Sequence, residues 1–139
     1  MRAAAIDLGS VRVGLAVADD LGMLAHPRPH LDGKDGGRLL TRLADIAKRD
    51  SIDVFVVGLP RRLDGREGPE ARRARKFADD LRHKTGVEVV LWDEWLTTRE
   101  AASRLRERGL DAKRARSKVD SEAAAILLQS YLDSTRTVE

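Results

Sequence analysis

The chain has 139 residues, 42% of them hydrophobic, no cysteine and a formal net charge of +3. That length and composition suit one globular domain over residues 1–139 and exclude a disordered chain, disulfide support, a cysteine nucleophile and a thiolate metal site. No apolar run approaches the ~20 residues that span a bilayer, and "MRAAAIDLG" lacks the layout of a secretory signal, so a soluble cytoplasmic protein is expected.

Residues 2–7 read as a buried strand ending in Asp7. Val11, Val13, Leu15 and Val17 alternate with Arg12, Gly14, Ala16 and Ala18, the period of a second strand. The short Leu8–Ser10 connection makes the pair a hairpin, hence antiparallel. "MLAHPRPHL" supplies a third strand, which its prolines confine to an edge. Leu39, Leu40, Leu43, Ile46 and Ala47 repeat at helical spacing, and "IDVFVVGLP" is a continuous apolar run typical of a strand covered on both faces. Gly65 and Gly68 mark a loop, Pro69 opens a helix, and Gly86 ends it. "VEVVLW" is the next strand. Thr97 to about Arg108 is predicted helical, "GLDAKRARS" a mobile basic loop that orders on substrate binding, and Val119 to about Leu132 a last helix. The order predicts an α/β domain with a five-stranded mixed sheet, its second strand antiparallel, and helices on both faces.

The charge is unevenly spread. Residues 61–76 hold seven Arg/Lys against three Asp/Glu, and residues 99–118 hold eight against three, so the remainder is acidic. Such patches suit either solvated helix faces or a polyanionic partner. On the second reading Arg61, Arg62, Arg72, Arg73 and Arg75, with Lys113, Arg114, Arg116 and Lys118, are the nucleic-acid-binding candidates.

In such a sheet, chemistry collects where strands hand over to loops. Asp7 ends the first strand, while Asp93 and Glu94 follow the last, in "LWDEWLTT". Parallel strands would bring both sites to one edge. Asp120, in "SKVDSEAAAILLQSYL", shares the helical phase of Ala123, Ala124, Leu127 and Tyr131, whereas Glu122 should face solvent. An acid aligned with an apolar stripe needs a cationic partner. Each acid also has a plainer role: Asp7 as a turn cap, Asp93 and Glu94 as loop residues before a Thr97–Glu100 capping box, and Asp120 closing a box opened by Ser117. A carboxylate cluster without cysteine suits Mg²⁺ or Mn²⁺, which prefer oxygen ligands and keep waters that phosphates can replace. His26, His30 and His83 are given structural roles.

"IDLGSVRVGLAVAD", "VVGLPRRLDGREGPEARRARKFADDL", "DEWLTT" and "VDSEAAAILLQSYL" together resemble the YqgF family, whose members are described as Holliday junction resolvases and as pre-16S rRNA 5′-end nucleases. The resemblance runs in order over nearly the full chain. It implies an RNase H-like fold and catalytic acids at Asp7, Asp93 and/or Glu94, and Asp120, with Asp7, Glu94 and Asp120 as metal ligands. It places Arg12 and the "GLPRRLDGREG" loop near a nucleic-acid substrate, precursor rRNA or branched DNA. One departure stands out: Trp95 replaces the arginine usual after the Asp-Glu pair, either to stack on a base or to fill a gap in the core. The implied function is metal-dependent phosphodiester hydrolysis, first in pre-16S rRNA processing and alternatively in junction resolution, by a monomer or a homodimer. Two other readings remain. One is a non-catalytic RNA-binding module. The other is an ATP-binding protein of the actin/Hsp70-like superfamily, whose first phosphate loop "DLGSVRVG" also resembles.

Overall fold

The computed structural model describes residues 1–62, 64–93 and 112–136, with side chains over 1–62, 64–93 and 121–135. The first two apolar stretches fold back on each other as β1 (Ala3–Leu8) and β2 (Arg12–Ala18), antiparallel, with Ala4 opposite Val17 and Leu8 opposite Val13. The connection is too short for anything but a hairpin. β3 (Ala25–Asp32) continues the meander along the far side of β2 and forms an edge, where Pro27 and Pro29 are tolerated. β4 (Val54–Leu59) and β5 (Glu88–Asp93) add in parallel beside β1, giving the order β3-β2-β1-β4-β5. The mixed five-stranded sheet with an antiparallel second strand is the one expected from the sequence.

Parallel strands need long crossovers, and helices supply them. α1 (Gly36–Arg49) starts at Asp35, whose carboxylate accepts the Arg38 N–H at 3.2 Å. α2 (Pro69–Thr85) begins on a proline and closes at Gly86, whose φ of 69° is the left-handed conformation that glycine adopts without strain. α3 (Ala112–Arg136) lies after β5 in the chain.

Side-chain alternation sorts the sheet into two faces. Ile6, Val13, Leu15, Phe55 and Val57 pack with Leu43 of α1 and Leu81 of α2. The other face is built of small residues, Ala3, Ala5, Ala16 and Ala18 beside Val54 and Val56, and α3 lies on it through Ala124, Leu127, Leu128 and Tyr131. Four alanines in the sheet and Ala123–Ala125 in the helix, all buried, let the two backbones approach closely. The helices therefore flank both faces.

Two expectations need correction. Residues 112–117 are not a loop: α3 is already helical from Ala112, seven residues before the expected start at Val119. Ala, Lys and Arg are strong helix formers, and no glycine or proline interrupts 112–136, so a polar turn extends the packed helix without an apolar stripe of its own. Second, Glu122 is only partly exposed, because α3 reaches over the edge strand there. With Ala25, Pro27 and Ile126 it lines a groove of about 650 Å³. The helix predicted from Thr97 to Arg108 lies outside the described residues. Among the described residues, no helix is long and apolar enough to cross a membrane.

Candidate active site

Asp7 sits inside the ladder, opposite Gly14 and one pair before Leu8–Val13, so β1 runs one residue further than its hydrophobic run suggested. By alternation it shares the α3-covered face with Ala3 and Ala5. The strand on its other side is β4, whose register with β1 ends at Ile6–Val57, so Gly58 lies level with Asp7. Gly14 and Gly58 fall on the same face as the acid. The half-buried carboxylate is thus flanked on both neighbouring strands by residues without side chains. Gly14 stands in the sequence among the small alternating positions of the second strand, with Ala16 and Ala18. Gly58 was missed, although a glycine closing the run "VFVVG" is a signal of close approach.

α3 runs down this face from the edge that carries Asp7. The Ser121 hydroxyl bonds the Arg28 carbonyl, which lies across β2 from the level of Ile6, while Gln129 reaches Ala25 N–H at 3.0 Å near the opposite edge. Position 120, one residue before Ser121, therefore lies at the acid edge. Its helical phase is that of Ala124, Leu127 and Tyr131, all buried against the sheet. The structure brings Asp7 and helix position 120 to one edge and one face. The Asp120 side chain lies outside the described residues.

Asp93 reaches the same edge and the opposite face. It pairs with Leu59 at the end of β5. Val90 and Trp92 turn towards α3, where the Trp92 ring meets Tyr131 edge-on at 5.4 Å, while Val89 and Leu91 turn towards α1 and α2. Asp93 follows the second set. Its carboxylate accepts the Arg61 Nε–H at 2.7 Å, and Arg61 also donates to the Gly65 carbonyl at 3.2 Å. Arg61 thus ties the loop before α2 to the end of β5. Glu94 and Trp95 lie outside the described residues. Among the described residues no three metal-ligating side chains gather.

The basic segment before and within α2 divides by partner. Arg75 grips Glu67 with two bonds of 2.8 and 2.6 Å, and that hydrogen-bonded guanidinium holds the Glu67 carboxyl below its usual range. Arg73 donates through Nη2 to the Gly9 carbonyl at 2.6 Å. Arg62 packs its aliphatic stem against Gly68, where an added Cβ would meet Arg62 Cδ at 3.1 Å. Arg72 is exposed and has no partner among the described residues. Arg12 opens β2 opposite Asp32. The side chains of Lys113, Arg114, Arg116 and Lys118 lie outside the described residues. His26 pairs with Val17 at the far end of the sheet and His83 falls in the last turn of α2, so neither is at the acid edge.

A family profile described as "RuvX: Holliday junction resolvase" matches residues 1–134. A curated relative from Anaeromyxobacter sp. (strain K), named "Putative pre-16S rRNA nuclease", is 47% identical over 133 residues, covering 96% of this chain and 97% of its own. One of the same name from Geobacillus kaustophilus (strain HTA426) is 40% identical over 138 residues, covering 98% and 100%. Among solved structures, T. thermophilus RuvC in complex with Holliday junction substrate superposes with a TM-score of 0.63 at 18% identity, covering 99% of this chain and 96% of that one. The Fowlpox virus Holliday junction resolvase gives 0.58 at 14%, covering 97% and 99%. At such identities these structures speak for the fold, which is the RNase H-like fold that the motifs implied.

Proposed function

The chain belongs to the RuvX family of Holliday junction resolvases, and we propose that it is a divalent-metal-dependent nuclease that processes the 5′ end of pre-16S rRNA. The observation that carries the chemistry is the acid edge: Asp7, flanked by Gly14 and Gly58, shares one face with helix position 120. The choice of substrate rests on relatives of that name matched over nearly their full length. The family description favours the second reading, a four-way DNA junction. Paired cleavage assays on precursor rRNA and on a synthetic junction separate the two. Precursor cut at its 5′ end, with the junction left intact, supports the rRNA reading, and the reverse result overturns it.

The donor set fits Mg²⁺ or Mn²⁺. Asp7, Glu94 and Asp120 would hold the cation, and carboxylates are the hard oxygen ligands these ions prefer. When bound, the cation supplies an activated water and charge stabilisation at the leaving oxygen. The protein residues orient the substrate around it. Gly14 and Gly58 keep neighbouring side chains away from the Asp7 carboxylate, and Arg12, Arg62 and Arg72 hold phosphates by charge. Lys113, Arg114, Arg116 and Lys118, in the first turns of α3, are the further phosphate-binding candidates. A cytoplasmic setting and a single domain over 1–139 fit this role. Assembly as a monomer suits rRNA trimming, whereas symmetric junction cleavage requires two sites and hence a dimer.

Phosphate contacts make binding salt-dependent. Replacing Arg62 and Arg72 with alanine is expected to lower RNA affinity, and to flatten the plot of log K against log salt by roughly 0.7–0.9 per contact removed. Fluorescence anisotropy across a salt series measures this, and an unchanged slope returns both arginines to ordinary solvated surface.

A further inference from the structure

The turn between β1 and β2 begins two residues after Asp7 and is held from two sides. Gly33 donates its N–H to the Val11 carbonyl at 2.8 Å. Arg73, 64 positions along the chain and on α2, donates to the Gly9 carbonyl at 2.6 Å. The turn itself is closed so tightly that a Cβ at Gly9 would lie 2.2 Å from the Arg12 carbonyl oxygen. On the far side, a Cβ at Gly33 would meet Val13 Cγ2 at 2.9 Å and the Gly9 carbonyl oxygen at 3.3 Å. The Gly9 carbonyl is thus the point where α2, the turn and the segment after β3 meet. A charge-assisted bond to a carbonyl is short and strong, and it directs the guanidinium at the backbone of the turn.

We propose that Arg73 is a positioning residue for the acid edge: it fixes the β1–β2 turn, and through it the carboxylate of Asp7. This assignment differs from a phosphate contact, the role its place in a basic segment suggests. It also couples the loop before α2 to the acid, because the helix that carries Arg73 starts where that loop ends. The activity part of the inference rests on the nuclease reading, but the clamp itself does not.

The test compares Arg73→Met, which keeps much of the length and loses the donors, with Arg73→Lys, which keeps charge and a donor. Three quantities are read: exchange without metal of the Gly33 amide, whose N–H bonds the Val11 carbonyl of the turn, the Mn²⁺ concentration that half-maximally raises the melting temperature, and kcat and KM for RNA cleavage. In Arg73→Met, exchange of the Gly33 amide is expected to rise about tenfold or more. The Mn²⁺ midpoint should rise, and kcat should fall on the order of a hundredfold, as small misplacements of reacting groups cost. KM and the salt slope of RNA binding should stay, and Arg73→Lys should recover part of each loss. Unchanged exchange in Arg73→Met overturns the clamp. So does a defect confined to KM and the salt slope that lysine fully restores, which marks a phosphate contact. A parent protein that cuts no RNA, yet shows the exchange and Mn²⁺ responses, overturns the nuclease reading and leaves the clamp standing.

Discussion

In EDTA, Asp7→Asn is expected to melt at the same temperature as the parent or higher, while its RNA cleavage falls on the order of a thousandfold. The two effects come from one carboxylate. Asp7 is half-buried on the α3 face, at the same edge as helix position 120. Acids gathered for a cation repel one another in its absence, so an isosteric neutral side chain relieves strain in the metal-free fold. With Mn²⁺ added the order reverses. On the proposed metal role, the parent gains stability by binding linkage, and the variant should gain less because a ligand is removed. A turn-capping role predicts the opposite sign: the amide is a weaker acceptor than a carboxylate, and the variant loses up to ~2 kcal/mol with or without metal. Thermal melts with EDTA and with Mn²⁺, run beside a cleavage assay, distinguish them. A variant that melts lower in EDTA and still cuts RNA makes Asp7 a structural residue.

Much of the scaffold was legible because its signals are local. The alternation of Val13, Leu15 and Val17 marked a strand, although small residues on its other face let that side be buried as well, the unbroken "VFVVGL" marked an internal one, and Pro69 and Gly86 the ends of α2. The acid edge followed from strand direction, since acids at the ends of parallel strands share an edge. What stayed hidden depends on register or on distant contacts. The face to which Asp93 belongs turns on a single residue of phase, because a strand changes sides at every step. The bond from Arg73 to Gly9 joins residues 64 apart and leaves no periodic trace. The basic stretch 112–117 looked like a loop because it lacks an apolar stripe, yet helix propensity and continuity with a packed helix suffice for it. Charge counting likewise treated Arg61, Arg73 and Arg75 as one surface with Arg62 and Arg72. The structure shows the first three bonded within the protein.

The face of Asp93 bears on its neighbour, because both acids were catalytic candidates in the sequence. Glu94→Gln is expected to reduce cleavage on the order of a thousandfold, whereas Asp93→Asn should cost no more than about tenfold. Asp93 is already engaged: it lies on the α1/α2 face, two strands from Asp7 and so roughly 10 Å away across the sheet, and bonds Arg61 at 2.7 Å. A carboxylate that neutralises an arginine on one face offers little to a cation held on the other. Its pair with Arg61 has side chains 35% and 47% exposed, where solvent screens the attraction, so its loss should cost only ~0.2–1 kcal/mol. On the proposed function, the metal role then falls to Glu94. The two variants also differ in their response to Mn²⁺. Asp93→Asn should be stabilised by the ion as the parent is, while Glu94→Gln should respond weakly. Equal loss of cleavage and of Mn²⁺ response in both variants would mean that Asp93 leaves Arg61 during turnover and joins the site. Full activity in Glu94→Gln, with none in Asp93→Asn, would assign the ligand to the wrong member of the pair and sink the argument from strand alternation.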